Sequence, residues 1–466
     1  MIGRLHRQPS LFGFAFFKEV ARLHEPTLDR IDALLDDPEL VAVCARVLAA
    51  RRQRSADCGR PTIAADRLMR CVVLKHLKGW SFRALERELR ANLLYRRFTR
   101  FYEDPIPHFS VFSRLFGLFG KEQAHALHLR VIARARELAI VGGQRLRTDT
   151  TAVETNIHHP SDSSLLADSL RVLTRSLQRI HQGCQQGGFK VIDHARAAKY
   201  RVLEIARAAR LLNEAGRVRM KKSYGRLLAL TRGVALQAQR VLGRLSRGEL
   251  RARADAFVQV QAQEAALRHY LPLVDRVLAQ TRARIFADHR HYAEKVLSLF
   301  EPHTVVIRKG KAHKPNEFGR LVRIDEVENG IVSGYEVAVG NASDQHQWTA
   351  ALEHHVGLFD RAPRLAAADR GYWSAHNEQV AAQMGVQQVV LPARGHLSAL
   401  RAAREKKRWF RRGQAWRAGI EPRIATLKHR FGMARAYYKG ERGFERHIGF
   451  CVIAHNLVGM SRAGPR

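Results

Sequence analysis

The stretch "RLAAADRGYW", residues 364–373, runs from small apolar residues straight into the carboxylate of Asp369 and then to Gly371. Small apolar residues carry a chain inward as a strand. A lone buried carboxylate at the strand's end costs on the order of several kcal/mol unless something meets it. A salt-bridge partner, a turn or helix cap, and a metal ion would each do so. Beyond Gly371, "SAHNEQVAAQM" reads as a helix and "VQQVVLPA" as a second strand. That alternation specifies an α/β sheet layered with helices, in which functional groups gather at the carboxyl ends of strands.

Working outward, "HTVVIRK", "GRLVRIDEV" and "GIVSGYEVAVG" read as strands, the last two joined through Glu328-Asn329-Gly330. Asn-Gly accepts positive φ at little cost, which makes this a strong hairpin signal. "SDQHQWTAALEHHV" reads as a helix capped by Ser343 or Asp344. Further upstream, "GGQRLRTDTTAVETN" opens on glycines and alternates β-branched residues, so Asp149 falls within a strand that begins the sheet.

Residues 1–140 read as helical. In "AADRLMRCVVLKHLKGWSFRALERELR", apolar residues recur at helical spacing, Gly79 fits a helix stop, and Ser81 fits the N-cap of a second helix. Two helices across so tight a turn fit a helix-turn-helix. Arg83, Arg87, Arg90, Arg96, Arg97 and Arg100 follow with aromatic residues interleaved, a pattern suited to DNA and also to a solvated basic face. Residues 161–300 are helical again. Leu166, Leu170, Leu173, Leu177 and Ile180 form one apolar stripe, Arg171, Arg175 and Arg179 form a basic row beside it, and "HQGCQQGGF" reads as a loop. Three regions follow: a helical, helix-turn-helix-like DNA-binding domain over 1–140, a sheet core over 141–160 and 301–466, and a helical insertion over 161–300.

The chain of 466 residues carries 80 Lys+Arg against 43 Asp+Glu, a formal charge of +37. Such a field repels its own copies and attracts polyanions, DNA or RNA first. No stretch approaches the roughly 20 uninterrupted apolar residues of a membrane span; "IGFCVIAHNLVGM" is broken by His455 and Asn456. The N-terminus lacks a signal-peptide layout, so no membrane partner and a cytoplasmic, nucleoid-associated location are expected. Five scattered cysteines without CxxC spacing disfavour a disulfide framework or a zinc site, and the His158-His159 pair reads as solvated loop.

A third acid, Glu421, lies in "WRAGIEPRIATLKHRFG", four residues after Arg417 and seven before Lys428. One helix would put all three on a shared face, but Pro422 means that the helix either begins there or kinks. Spacing alone leaves two readings open. In one, Asp149, Asp369 and Glu421 converge on divalent metal ions; in the other, Asp369 caps a helix and Glu421 pairs with Arg417.

"RTDTTAVETN", "ADRGYWSAHN" and "WRAGIEPRIATLKHRFG" resemble, in order, the three catalytic blocks of bacterial insertion-sequence transposases of the DDE class. The third block carries the signature Tyr-x2-Arg-x3-Glu-x6-Lys. Arg417, Glu421 and Lys428 match it, and Gln414 stands at the tyrosine position. "RPTIAADRLMRCVVLKHLKGWSFRALERELR" looks like the family's N-terminal helical domain, and the 161–300 helices are the least typical part. The resemblance implies a ribonuclease-H-like mixed sheet core, an N-terminal all-α DNA-binding domain, and a long helical insertion after the first core strand. It further implies that Asp149, Asp369 and Glu421 are catalytic and hold two Mg²⁺ (or Mn²⁺) ions. Water would then free a 3′-hydroxyl at the element's end, and that hydroxyl would attack target DNA. Arg417 and Lys428 would hold phosphates near the metals. Residues 401–446, with 15 Lys+Arg against 4 Asp+Glu, fit a DNA track. Lys309, Lys311 and Lys314, together with Arg83, Arg87 and Arg90, are further DNA-binding candidates. Joining two ends implies a homodimer in the synaptic complex with double-stranded DNA. A metal-dependent nuclease of the same fold and an idle transposase-derived DNA-binding regulator are the rival functions.

Overall fold

The computed structural model describes residues 22–51, 62–184, 189–289, 292, 294–308, 316–340 and 342–463. It comprises two compact units, one of residues Met1–Asn156 with Val306–Arg466 and one of Ile157–Val305.

In the first unit, α1 (Pro26–Leu34), α2 (Pro38–Ala49), α3 (Ala65–Leu77), α4 (Phe82–Ala91), α5 (Leu93–Phe98), α6 (Phe109–Phe116) and α7 (Lys121–Glu137) precede the sheet. α3 stops two residues before Gly79, and the Ser81 hydroxyl caps α4 by accepting from the Ala84 N–H at 3.1 Å. The tight turn is therefore as the sequence specifies. The arginines beyond it serve the fold more than a groove. Arg96 donates to the carbonyls of Tyr102 and Asp104, Arg97 pairs with Asp29 at 3.2 Å, and Arg100 pairs with Asp36 at 2.7 Å.

The sheet contains β1 (Arg145–Thr155), β2 (Val305–Arg308), β3 (Asn316–Glu326), β4 (Val332–Val337), β5 (Leu365–Ala367), β6 (Gln388–Val390) and β7 (Arg435–Ala436). Its order is β2-β3-β1-β5-β6, with β4 also beside β3 and β7 beside β1. β1 is central. It pairs antiparallel with β3, Asp149 opposite Ile324, and parallel with β5, Arg145 opposite Leu365. Asn329 and Gly330, at φ of 56° and 73°, turn β3 back into β4 as the Asn-Gly signal requires. This mixed sheet, layered with helices, is the expected ribonuclease-H-like α/β core.

The helices of the core are α12 (Asp344–Phe359), α13 (Ala375–Gln383), α14 (Ala399–Lys406), α15 (Arg408–Ala418), α16 (Ile420–Arg430) and α17 (Gly440–Ala463). "IGFCVIAHNLVGM" lies in α17, buried in one apolar core with the N-terminal helices and the sheet. The polar residues that interrupt it have structural work. The Asn456 side-chain amide donates to the Val332 carbonyl at 2.8 Å and accepts from the Val332 N–H at 2.9 Å, as a neighbouring strand would. Among the described residues, no helix is long and apolar enough to cross a membrane.

The second unit is formed by α8 (Asp162–Gly183), α9 (Ala195–Ala208), α10 (Glu214–Ser246) and α11 (Phe257–Phe286). Leu166, Leu173 and Leu177 of α8 pack with Leu227 of α10 and with Leu267 and Val274 of α11. Its apolar stripes thus find their partners within the unit.

Candidate active site

β1 and β5 run parallel, so Asp149 and Asp369 follow from neighbouring strands in the same direction. Asp149 lies inside β1 with its side chain 14 % exposed. Its Oδ1 accepts from the Thr150 N–H at 2.8 Å, and its Oδ2 accepts from Arg417 Nη2, also at 2.8 Å. Asp369 lies two residues beyond β5 and caps a short turn, Oδ1 accepting from the Gly371 N–H at 2.6 Å. Among the described residues its Oδ2 accepts no hydrogen bond. The capping role considered for Asp369 is therefore real, and it occupies one oxygen only.

Pro422 stands in the first turn of α16, so the helix begins there, and Arg417 belongs to the preceding α15. At the break the Trp416 carbonyl, which accepts from the Gly419 N–H at 3.1 Å, also accepts from the guanidinium of Arg147, whose other arm holds Glu326 at 2.5 Å. Arg417 uses both its arms on acids. Nη1 lies 3.0 Å from Glu421 Oε1, so the i,i+4 pair forms, and Nη2 ties that pair to Asp149. Glu421 remains 65 % exposed. Lys428 is half-buried two turns further along α16.

A fourth carboxylate, Asp344, whose local sequence is that of a helix cap, stands here. Ser343, at the N-cap position of α12, makes no side-chain cap bond, and Asp344 instead accepts from the Thr150 hydroxyl at 2.7 Å. Asp344 and Asp369 also meet over Gly371. A Cβ there would lie 2.7 Å from Asp369 Oδ1 and 2.9 Å from Asp344 Oδ2, so only glycine lets the two carboxylates close in. Burial, helped by the charges of Asp369 and Asp344 and opposed by Arg417, pushes Asp149 up to about 6. Burial likewise raises Asp344. Acids crowded this way, with the guanidinium of Arg417 on Asp149 and that of Arg394 near Asp344, offer a set of hard oxygen donors.

Residues 17–117 match the transposase domain family DUF772, and residues 287–457 match the transposase DDE domain family. The chain belongs to the insertion-sequence DDE transposases. Asp344, Asp369, Arg417, Glu421 and Lys428 fall within the DDE match, and Asp149 lies between the two matched stretches. No curated protein and no solved structure matches the transposase.

The remaining candidates of the transposase are dispersed. Arg83 is exposed over the Phe109 ring at 4.1 Å. Arg87 pairs with Glu88 at 2.8 Å and Arg90 with Glu86 at 3.0 Å, both on α4 itself. Lys309, Lys311 and Lys314 lie outside the described residues. A separate group of metal-type donors, His76, His447 and Cys451, is buried between α3 and α17. Each bonds a backbone carbonyl, and Lys75 and Arg446 beside them repel a cation.

Proposed function

We propose that this transposase binds the terminal inverted repeats of its element as double-stranded DNA, cuts a strand at each end, and joins the freed 3′-hydroxyl to target DNA. The observation that carries the reading is Arg417, which draws Asp149 of the first strand and Glu421 of a helix 272 positions later into one group beside Asp369. Asp149, Asp369 and Glu421 would hold two Mg²⁺ or Mn²⁺ ions. Their oxygens are the hard donors that these ions favour, and Asp149, raised chiefly by burial and further by the charge of Asp369, is a carboxylate that a cation would stabilise. Two such ions, when bound, activate one oxygen and stabilise another in phosphoryl transfer.

The chain's own residues supply the rest. The Arg417 fork exchanges its carboxylates for the scissile phosphate, which it can grip bidentately, and Lys428 adds a point charge on the same helix. Arg83, Arg87 and Arg90 on α4, with Lys309, Lys311 and Lys314, are the further side chains proposed to bind the duplex. The division into a DNA-binding region over 1–140, a catalytic core over 141–160 with 301–466, and an insertion over 161–300 follows from these roles. Two protomers pair the ends in a synaptic complex on the nucleoid.

The test is a cleavage assay in Mg²⁺ on duplex DNA taken from either flank of the gene, where inverted repeats should stand. Nicks with free 3′-hydroxyls and joined products are expected, with affinity falling steeply and linearly on a log–log plot against salt. Nicking without joining would assign a nuclease of the same fold. Binding without any cut would assign an idle DNA-binding regulator.

A further inference from the structure

At the opposite end of the parallel strands from the acids lies an open cavity of about 930 Å³, lined by Arg145, Arg364, Arg408, Arg412, Trp409 and Trp416 among others. No carboxylate lines it. Other arginines nearby are committed: Arg147 on β1 to Glu326, Arg417 on α15 to Asp149 and Glu421, and Arg401 on α14 to Glu378 and Glu405. Among the described residues, the side chains of Arg145, Arg364, Arg408 and Arg412 have no acid partner and no hydrogen bond. All four are exposed, while the two indoles are half-buried against a small core of Ala367, Val390 and Phe410. Their rings are thus anchored, and the guanidinium of Arg147 lies 4.8 Å from the Trp416 ring centroid.

Unpaired guanidiniums call for an anion, and anchored indoles offer stacking to a flat ring. The volume falls in the range of roughly 300–1,000 Å³ typical of small-molecule sites, more than a bare phosphate needs. One chemical class carries both a phosphate and a flat ring. We infer that this cavity is a nucleotide site, taking a base between or against Trp409 and Trp416 with its phosphates on the four arginines. The inference rests on the DNA-cutting reading for its ligand's source. Arg145 precedes Asp149 by four residues on one strand, about 13 Å at ~3.3 Å per residue. Nucleic-acid strands advance ~3.4 Å per stacked nucleotide, so a strand cut at the acids reaches the cavity within about four nucleotides. Trp416 and Arg417, adjacent on α15, serve the two places in turn.

The test uses the full chain in EDTA, so that no cleavage intervenes, and follows tryptophan emission during titration with a 12-nucleotide single strand. The single strand should quench the emission. Trp409→Phe with Trp416→Phe should remove most of that quench, since a phenyl ring keeps the packing but not the reporter. Arg364→Glu with Arg412→Glu should weaken binding at least tenfold, and thermal unfolding checks that these exposed substitutions leave the fold intact. Separate arms use AMP and inorganic polyphosphate. Quenching by AMP as strong as by the oligonucleotide supports the nucleotide site and makes free nucleotides its source; quenching by the oligonucleotide alone supports it with DNA as the source. Equal quenching by polyphosphate, or unchanged affinity and quench in both double variants, would overturn the inference. End cleavage in Mg²⁺, run in parallel, separates the two readings. Normal cleavage with an unaltered quench removes this site alone, and absent cleavage with a variant-sensitive quench removes the DNA-cutting role while the site stands.

Discussion

Arg417 Nη2 lies 2.8 Å from Asp149 Oδ2, a contact between residues 268 positions apart that places a guanidinium against a carboxylate proposed as a metal ligand. The guanidinium and a divalent ion at that oxygen compete for the same negative charge and repel each other. Arg417→Ala should therefore tighten Mn²⁺ binding several-fold by calorimetry and lower end cleavage at least tenfold, since the phosphate fork is lost. Weaker Mn²⁺ binding in the variant would mean that Arg417 organises the acids and does not compete for them.

The acids themselves give a graded expectation. Asp149→Asn, Asp369→Asn and Glu421→Gln should each abolish cleavage and spare end binding, because an amide keeps the shape and loses the charge. Near-normal cleavage by any one of them would remove that residue from the ligand set.

Asp344 and Gly371 should matter through position. Asp344→Asn weakens the hold on the Thr150 hydroxyl next to Asp149, and Gly371→Ala places a methyl against both Asp369 and Asp344. Cleavage should fall about 10- to 100-fold in each, an ordinary cost for misplaced catalytic groups, with end binding and melting temperature nearly unchanged. Full activity in Gly371→Ala would show that the close approach of the two carboxylates has no catalytic use.

What the sequence could reveal divides along the distance between partners. The strand over 145–155, the Asn329-Gly330 turn, the Ser81 cap and the helix between β5 and β6 were legible because each signal and its partner lie within a few residues. Asp344 was misread for the same reason. Its local setting beside Ser343 is that of a cap, and only the fold brings in Thr150, 194 positions away. Pro422 left two geometries open, and the packing of Ile420 and Leu427, both fully buried, selects a helix that begins there. The basic run after α4 has the composition of a DNA face, yet Arg96 is engaged by the carbonyls of Tyr102 and Asp104, and Arg97 and Arg100 by Asp29 and Asp36, more than 60 positions away, which no local pattern could indicate.

Buried imidazoles should make the fold acid-sensitive. Burial holds His128 down to about 3 and His447 and His455 down to about 4, and it also lowers His76 well below its ordinary value. The folded state refuses these protons and the unfolded state takes them up near 6.5, so stability is full above that pH and falls as pH drops toward 4. His128, His447 and His455 each cost about 2 kcal/mol by pH 5. The acids that burial raises, Asp149 to about 6 and also Asp344, Asp275 and Glu445, work the other way, while His125, His354 and His355, lowered by burial, add to the acid sensitivity. Urea unfolding in EDTA should give a much lower free energy at pH 5 than at pH 7.5. His128→Gln, which keeps a donor for the Val332 carbonyl, should shrink that difference by about 2 kcal/mol. A difference unchanged by the substitution would mean that His128 is not the proton-excluding group.

The helices of 157–305 contribute none of the three proposed catalytic acids and carry a core of their own, so their removal tests what they add. Of the basic row on α8, Arg171 is engaged by Asp168 at 2.7 Å, whereas Arg175 and Arg179 are exposed with no partner among the described residues. That leaves two guanidiniums one helical turn apart and available to a phosphate backbone. Replacing 165–295 with a Gly/Ser linker should leave weak metal-dependent nicking of single ends and abolish paired-end complexes. The point variant Arg175→Glu with Arg179→Glu keeps the unit's core and should lose paired-end complexes in the same way, with single-end nicking near normal. If both proteins form normal paired-end complexes on a native gel, the helical unit neither grips the ends nor joins the subunits.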